Sequence, residues 1–350
     1  MKKTLLATAI VGALGASAAA QAATVYDQDG TKLDVYGRIA MGIEGGGAEY
    51  DDGVKIDNGE EFVDFGSRLG LRLSHEVTRD LTAFGRAEWR FNADERNSDG
   101  FDDVRNTYLG LKSDRFGTFQ AGNFDSFYLQ FVSDPFDVYV EDGLEFSDGS
   151  KQSRGDSIGY YTPDLNGFTV FLQAKHYSSR GDAKSADTDT DVAAQGGVRY
   201  AKGPLTVALG FVDDVRHEND GSEPDGGNDE MLYGLIGSYD ITDQFSARLG
   251  YETREDNNTY GGGFDKVGLG ATFTTGPWAF TGDIYEIDND NSEDRTAWAL
   301  GSYYNVSSNF DVFLELYQAD QPDINVGGLT DVDIADGDDV YFATGARYHF

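Results

Sequence analysis

The stretch RLGLRLSHEVTRDLTAFGRAEWRF, residues 68–91, alternates between apolar and polar side chains on both sides of a short break at residues 78–80. One register is apolar, with Leu69, Leu71, Leu73, Leu81, Ala83, Gly85, Ala87, Trp89 and Phe91. The other register holds most of the charged side chains, among them Arg68, Arg72, Arg86, Glu88 and Arg90. A period of two residues indicates β-strands, because successive strand side chains point to opposite faces of a sheet. The stretch therefore predicts two strands with one apolar and one charged face.

The same alternation recurs along the chain. It is clearest at residues 33–41, 205–211, 245–251, 267–273, 310–316 and 340–350. Each run is about 8–12 residues long, whereas an ordinary strand has about five or six residues. A tilted strand needs about 9–11 residues to cross a bilayer. The length of the runs therefore favours strands that span a membrane.

The connections alternate between short turns and long, polar, acidic loops. The predicted long loops are residues 43–61, 92–102, 123–152, 178–190, 213–230, 254–264, 288–294 and 318–338. Eight long loops and seven short turns join sixteen strands, which is typical of an outer-membrane barrel with periplasmic turns and external loops. Only a closed barrel lets strands pair every backbone group within a bilayer. We therefore predict a 16-stranded antiparallel transmembrane β-barrel with lipid outside and a charged lumen. A soluble β-sandwich or solenoid is disfavoured by the strand length and the loop pattern.

The N-terminus and the composition limit where the protein can act. Residues 1–22, MKKTLLATAIVGALGASAAAQA, have a basic start, a short apolar run and an A-x-A site, which predicts a removable signal peptide. Residues 23–350 then form one barrel domain. The whole chain has a net charge of −35, which argues against nucleic acid as a partner. It has no cysteine, so disulfides and thiolate metal sites are excluded.

The alternation is weak in two segments, residues 103–112 and 153–161. Strict alternation from the neighbouring strands would point Asn106 outward, toward lipid. A subunit interface on the early strands would explain a polar residue there. Aromatic residues that suit the two membrane interfaces are Trp89, Phe91, Trp278, Tyr348 and Phe350.

Several segments resemble the classical trimeric general porins of Gram-negative bacteria. They are ATVYDQDGTKLDVYGRI at the predicted mature start, SRLGLRLSHEV, VRNTYLGLKSDRFGTFQAGNFDSFY and the C-terminal YHF. The resemblance covers essentially the whole mature chain. It implies a homotrimer in the outer membrane and a water-filled channel for passive diffusion of small hydrophilic solutes and ions. It implies neither a cofactor nor enzymatic activity. Tyr348 and Phe350 match the family's C-terminal assembly signal.

In this family a third loop folds inward, and its acidic residues face basic residues on the barrel wall. The wall arginines that match family positions are Arg38 on the first strand, Arg68 on the second, Arg105 on the fourth and Arg154 at the start of the sixth, and Arg86 is a fifth candidate from its lumen parity. Alternation alone also assigns Arg38 and Arg68 to the lumen. The acidic candidates on the loop are Asp134, Asp137, Glu141 and Asp142. The loop lacks the Pro-Glu-Phe-Gly-Gly motif of enteric members and has DPFDVYVEDG instead.

The acidic loops favour a preference for cations, although the arginines could reverse it locally. A substrate-selective channel is also compatible with the sequence, such as a sugar channel lined by the loop aromatics Phe124, Phe127, Tyr128, Phe131, Phe136 and Tyr139. The pattern further allows a structural or adhesive barrel and, from the GDSIG sequence around Ser157, an outer-membrane hydrolase. A nucleophile elbow requires a helix after the serine, and the sequence predicts none there.

The acidic clusters at 187–191, 288–294 and 331–338 lack the EF-hand pattern. They suit hydrated loops of a salt-tolerant organism, or divalent bridges to lipopolysaccharide.

Overall fold

The computed structural model describes residues 22–46, 49–51, 54–56, 60–96, 100–101, 103–146, 153–177, 191–214, 216–217, 225–226, 228–320 and 340–350. The strands in chain order are β1 (Ala23–Gln28), β2 (Thr31–Gly46), β3 (Glu49–Asp51), β4 (Val54–Ile56), β5 (Glu61–Asp64), β6 (Arg68–Glu76), β7 (Leu81–Arg90), β8 (Asp103–Ser113), β9 (Gly117–Asn123), β10 (Ser157–Tyr161), β11 (Phe168–Tyr177), β12 (Asp191–Lys202), β13 (Leu205–Asp213), β14 (Arg216–His217), β15 (Asp225–Gly226), β16 (Met231–Asp240), β17 (Phe245–Arg254), β18 (Phe264–Thr275), β19 (Trp278–Asn289), β20 (Arg295–Asn305), β21 (Phe310–Gln318) and β22 (Tyr341–His349). Two short helical turns, Leu129–Ser133 and Asp134–Phe136, lie between β9 and β10.

The strands close into a 16-stranded antiparallel barrel, as the sequence predicts. Each barrel strand pairs with the next barrel strand along the chain. The segments β5 and β6 both pair with β2 and together count as the second strand of the barrel. The ring closes where β22 pairs with β2, from Arg38 opposite His349 to Gly46 opposite Tyr341. The pairs β3–β4 and β14–β15 are small hairpins outside the barrel sheet. Among the described barrel strands, closure gives each one a neighbour on both sides, which a bilayer requires.

The two faces of the wall have opposite chemistry, and the lipid-facing and lumen-facing registers are confirmed. Large apolar side chains on the outer face are exposed, for example Leu109 at 70% and Leu249 at 60%. Charged side chains on the inner face are buried, for example Arg248 at 4% and Glu315 at 3%. Trp278 stacks on Phe280 with ring centroids 5.7 Å apart near one end of β19. The barrel therefore has its apolar surface outside and its polar core inside.

A β-bulge corrects the prediction that Asn106 faces lipid. Glu88 pairs with Asn106 and Trp89 pairs with Val104, so Arg105 is an extra residue in β8. A bulge sets two residues against one and re-aims the side chains around it. Asn106 is therefore 1% exposed and donates hydrogen bonds from Nδ2 to Glu88 Oε1 and Asp125 Oδ2, both at 3.3 Å. Asn106 therefore gives no indication of a subunit interface on the outer face.

The structure contains a separate strand, β1, before β2, which the alternating sequence pattern did not distinguish from β2. It folds back on β2 through Asp29 and Gly30, whose φ angles are 52° and 71°. Two successive positive φ angles suit a two-residue hairpin turn, and Asp-Gly is a favoured sequence for it. At the same seam, Phe350 exchanges backbone hydrogen bonds with Gly37, at 2.8 and 3.1 Å. The C-terminus is thereby tied to β2 where the ring closes.

Within the described ranges, no helix is both long and apolar enough to cross a membrane. The predicted signal peptide, residues 1–22, lies outside the described residues except for its last residue.

Arginine at a lipid-facing position tests the assignment of the outer face. Leu172, in the middle of β11, is 54% exposed, so Leu172→Arg should destabilise the folded barrel by about 2–4 kcal/mol in vesicles. Leu165→Arg is the matched control, because Leu165 lies in the turn before β11 and should cost about 0–1 kcal/mol. Denaturant unfolding from lipid vesicles measures both changes. Equal costs for the two variants would contradict the assignment of this face to lipid.

Candidate functional site

The third long connection, loop 3, folds into the barrel and is described over residues 124–146. Its apolar side chains pack on the inner wall, and those buried to 1% exposure or less are Phe124, Phe127, Tyr128, Val132, Phe136 and Phe146. Glycines on the wall make room for them. A Cβ at Gly159 would lie 2.6 Å from the Phe127 ring, and one at Gly210 would lie 2.6 Å from Val132. The loop therefore lies flat against one side of the lumen.

Wall glutamines hold the beginning of loop 3. Gln173 Oε1 accepts a hydrogen bond from the Phe127 backbone N–H at 2.8 Å. Gln195 Oε1 accepts one from the Tyr128 backbone N–H at 2.8 Å and one from Ser126 Oγ at 2.7 Å. All of these groups are buried, so each bond satisfies a polar atom that would otherwise be costly to enclose.

A wall carboxylate on β21 holds the second half of the loop. Glu315 accepts hydrogen bonds from the backbone N–H of Val140 at 2.7 Å and of Glu141 at 3.1 Å. The Tyr303 hydroxyl donates to the same carboxylate at 2.5 Å. Hydrogen bonds to a charged acceptor are stronger than those between neutral groups. Glu315 therefore fixes the backbone of residues 140 and 141 on the wall.

Further carboxylate contacts also attach loop 3 to the wall. The Tyr139 hydroxyl donates to Asp283 Oδ2 at 2.6 Å, and Arg248 binds both oxygens of Asp283 at 2.7 and 2.6 Å. Near the end of the described loop, Glu145 pairs with Arg295 at 2.7 Å and accepts from the Tyr317 hydroxyl at 2.8 Å. Loop 3 is thus attached to the wall at many points from β10 to β21.

The four predicted loop acids all lie on the open side of loop 3. Asp134 pairs with Arg199 at 3.1 Å. Asp137, Glu141 and Asp142 are exposed to the lumen and, within the described part of the chain, have no basic group within ion-pair distance. Their side chains are accessible to solvent, but the surrounding barrel encloses them. This enclosure raises the pKa of each of the four carboxyls, and Arg199 partly offsets the rise at Asp134.

Glu141 has the largest of these shifts. Enclosure raises its pKa first, and the neighbouring carboxylates of Asp142, Glu44 and Glu315 raise it further, while Arg38 acts in the opposite direction. The resulting pKa is about 7. Glu141 therefore changes its charge in the neutral pH range.

The predicted basic wall divides into paired and unpaired arginines. Arg86 and Arg105 both bind Glu88, at 2.6 Å each, and Glu88 is fully buried. Asp125 lies 3.1 Å from Arg154 and 3.4 Å from Arg105. These two carboxylates therefore neutralise much of the charge on three of the five predicted arginines.

Arg38 and Arg68 have no such partner in the described ranges. Arg38 donates to the backbone carbonyls of Phe65 at 2.7 Å and Gly66 at 3.0 Å, which leaves its charge uncompensated. Arg68 has no carboxylate within 4 Å among the residues described. Asp137 interacts electrostatically with Arg68 and Arg105, and Glu141 with Arg38. The structure thus brings the predicted basic and acidic sets to opposite sides of the same region of the lumen.

Sequence reasoning missed Glu88 and Asp125, and it misplaced Arg154. Glu88 has lumen parity in the stretch at residues 68–91, so the same alternation that selected Arg86 could have selected it. Asp125 lies where β9 passes into loop 3. Arg154 was expected to open a strand, but β10 begins at Ser157. Its φ of 63° is left-handed, so the backbone turns there before the strand starts.

The candidate chemical motifs have structural explanations. Ser157 is 2% exposed and accepts a hydrogen bond from Gln173 Nε2 at 3.2 Å, inside a strand with no following helix. The acidic clusters at 187–191 and 331–338 lie largely or wholly outside the described residues. In the part that is described, which includes residues 288–294, no group of three or more metal-ligating side chains could hold an ion.

Removing the Glu315 carboxylate tests the attachment of loop 3. In Glu315→Ala the backbone N–H groups of Val140 and Glu141 lose a charged acceptor, and such bonds contribute about 1.5–3 kcal/mol each. Hydrogen exchange at these two amides should accelerate at least about tenfold. Glu286→Ala is the control, because Glu286 is exposed and accepts only from Thr296 Oγ1 at 3.2 Å among the described residues. Unchanged protection in Glu315→Ala would contradict the anchoring role.

The fold and the lumen agree with comparisons to known proteins. A family model described as Gram-negative porin matches residues 7–323. The "Monosaccharide porin" of a Halomonas species is 32% identical over 297 residues, which cover 81% of this chain and 78% of that protein. The "Major outer membrane protein" of Halomonas elongata matches to the same extent.

Solved structures show the same fold at lower sequence identity. The anion-selective porin from Comamonas acidovorans aligns with a TM-score of 0.73 at 18% identity and covers 91% of this chain and all of that one. The trimer form of OmpT from Vibrio cholerae aligns with a TM-score of 0.65 at 18% identity, over 92% of this chain and all of that one. The family match covers most of the sequence. The chain therefore belongs to the Gram-negative porin family and is an outer-membrane channel protein rather than an enzyme.

Proposed function

We propose that this porin is a general diffusion channel that prefers cations and is narrowed by loop 3. The constriction lies between the basic wall of Arg38, Arg68, Arg86, Arg105 and Arg154 and the acidic side of loop 3. Small hydrophilic solutes and ions pass through it down their gradients, without a cofactor.

The net charge of the chain supports the preference for cations. Glu88 and Asp125 offset two of the five positive charges on Arg38, Arg68, Arg86, Arg105 and Arg154, so among the described residues the predicted wall retains three. In the same ranges the three unpaired loop 3 carboxylates, on Asp137, Glu141 and Asp142, balance that charge, whereas the whole chain has a net charge of −35. A lumen and mouth of one dominant sign concentrate counter-ions and raise their rate of entry. The observation that carries the proposal is therefore the net charge of −35, which the wall arginines do not offset.

A sugar-selective channel is the second candidate, favoured by the printed name of the Halomonas relative. The side chains disfavour a sugar path along the loop aromatics. Phe124, Phe127, Tyr128 and Phe136 are buried at 1% exposure or less, and only Phe131 and Tyr139 are partly open. A selective channel would admit monosaccharides into vesicles faster than other polar solutes of equal size, whereas a general channel would not.

We also propose that the barrel assembles as a homotrimer, as the OmpT form named above does, and that Tyr348 and Phe350 serve as its assembly signal. Divalent bridges between acidic loops and lipopolysaccharide stay a prediction.

The pH dependence of ion selectivity tests the proposed function. In planar bilayers with a KCl gradient, the reversal potential should indicate cation preference at pH 8. Because the pKa of Glu141 is raised to about 7, a fall to pH 6 adds a proton and removes one lumen negative charge. The preference for cations should therefore decrease over this range.

Glu141→Gln is the matched variant, since it keeps the side-chain shape without the charge. At both pH 8 and pH 6, this variant should show the reduced cation preference that the wild type shows at pH 6. Its reversal potential should therefore change little between the two pH values. Anion preference in the wild type would mean that Arg38 and Arg68 dominate the field, which would contradict the proposed selectivity. An absence of conductance from folded protein would contradict a diffusion channel altogether.

A further inference from the structure

The outer face of the barrel contains an apolar groove that the channel function does not use. It has a volume of about 490 Å³ and lies across β13, β16, β17 and β18. Its outward positions include Leu205, Val207, Gly237, Tyr239, Ala247 and Leu249. None of these outward side chains is charged.

The groove exists because two small residues interrupt a row of large ones. Gly237 lies opposite Val207 on one side and Leu249 on the other. Ala247 lies opposite Tyr239 in the next row. A Cβ at Gly237 would approach the Thr206 carbonyl oxygen to 2.7 Å, so the backbone itself restricts this position to glycine. The gap is therefore built into the wall and is not a side-chain fluctuation.

The groove lies in the periplasmic half of the membrane. Leu205 begins β13 and Tyr239 is the second-last residue of β16, so both lie beside short turns, which are periplasmic in such barrels. Five residues of β16 and five of β17 line the groove, which gives a length of about 14 Å along the strands. With strands tilted by about 40°, this covers about two thirds of a hydrocarbon leaflet roughly 15 Å thick.

The periplasmic end of the groove has polar groups suited to a lipid headgroup. Lys202 lies opposite Leu205, and Leu205 lies opposite Tyr239, so the three residues form one row at the rim. Lys202 is exposed and donates to Asn166 Oδ1 at 2.7 Å, which leaves other N–H groups of its ammonium for an anion. The Tyr239 side chain is 49% exposed. A tyrosine at this level places an apolar ring in lipid and a hydroxyl near the headgroups.

We propose that this groove binds one phospholipid of the periplasmic leaflet, with an acyl chain over Gly237 and Ala247 and the phosphate beside Lys202. The apolar lining fits the chain, and the lysine complements the phosphate in an otherwise strongly acidic protein. The site is separate from the lumen, so it does not depend on the proposed ion selectivity.

Native mass spectrometry tests the proposal directly. The porin is folded into vesicles of phosphatidylethanolamine and phosphatidylglycerol, extracted in a mild detergent, and scored for phospholipid retained per chain. The wild type should retain one phospholipid. Ala247→Leu fills the groove and should lower the occupancy at least tenfold, and Lys202→Gln should lower it severalfold.

Ala174→Leu is the matched control, because Ala174 is also exposed on the outer face, in β11, away from the groove. It should behave like the wild type. If Ala247→Leu fails to fold, Ala247→Val makes a smaller change at the same place. Equal phospholipid retention by wild type and the Ala247 variant would overturn the proposal. No retained phospholipid in the wild type, retained lipopolysaccharide instead, or loss of subunit assembly on filling the groove would overturn it as well.

Discussion

The bilayer offers no water to backbone polar groups, so every strand within it must be paired on both edges. The chain meets this requirement by antiparallel pairing from β2 round to β22, which returns to β2. Once the ring is closed, alternate side chains face two different environments. The outer ones form an apolar surface for lipid, and the inner ones collect charges in an enclosed space, where an unpaired charge is costly. The internal organisation of the protein follows from this separation.

Contacts between loop 3 and the wall, and within the wall, give most of the enclosed charged groups a hydrogen-bond or ion-pair partner. Glu315 on the wall accepts hydrogen bonds from the loop backbone, and Asp283 accepts one from Tyr139. These bonds hold the loop on the wall and also provide hydrogen-bond donors for the enclosed wall carboxylates. Elsewhere Glu88 satisfies two arginines at once. Among the described residues, the charges left without an ion-pair partner in the two predicted sets are those of Arg38, Arg68, Asp137, Glu141 and Asp142. In the function proposed above, the contacts that stabilise the barrel interior therefore decide which charges act on a passing ion.

The sequence predicts the barrel well because its signal is physical and repetitive. Alternation at residues 68–91 assigns Arg68 and Arg86 to the lumen without any knowledge of the fold. It fails at Asn106, because a single extra residue in β8 breaks the two-residue period. The family resemblance, and not the alternation, places Arg154 at the start of a strand, although a left-handed residue there ends the loop before β10 begins.

Pairing across the lumen is harder to predict, because it depends on contacts between residues far apart in sequence. Tyr139 and Asp283 are 144 residues apart, and Val140 and Glu315 are 175 apart. No local pattern reports such contacts. The residues of the proposed constriction were therefore predictable as candidates, while the division into paired and unpaired charges required the three-dimensional structure.

In the proposed channel the acidic side of loop 3 lines the water-filled passage, and the other side of the loop is buried. Because the chain has no cysteine, Asp137→Cys introduces a single thiol, and a bulky water-soluble thiol reagent can be applied during single-channel recording. Modification at residue 137 should lower the conductance. The same reagent should have no effect on Ser133→Cys, because Ser133 is fully buried behind the loop. Unchanged conductance after complete modification at residue 137 would contradict the account.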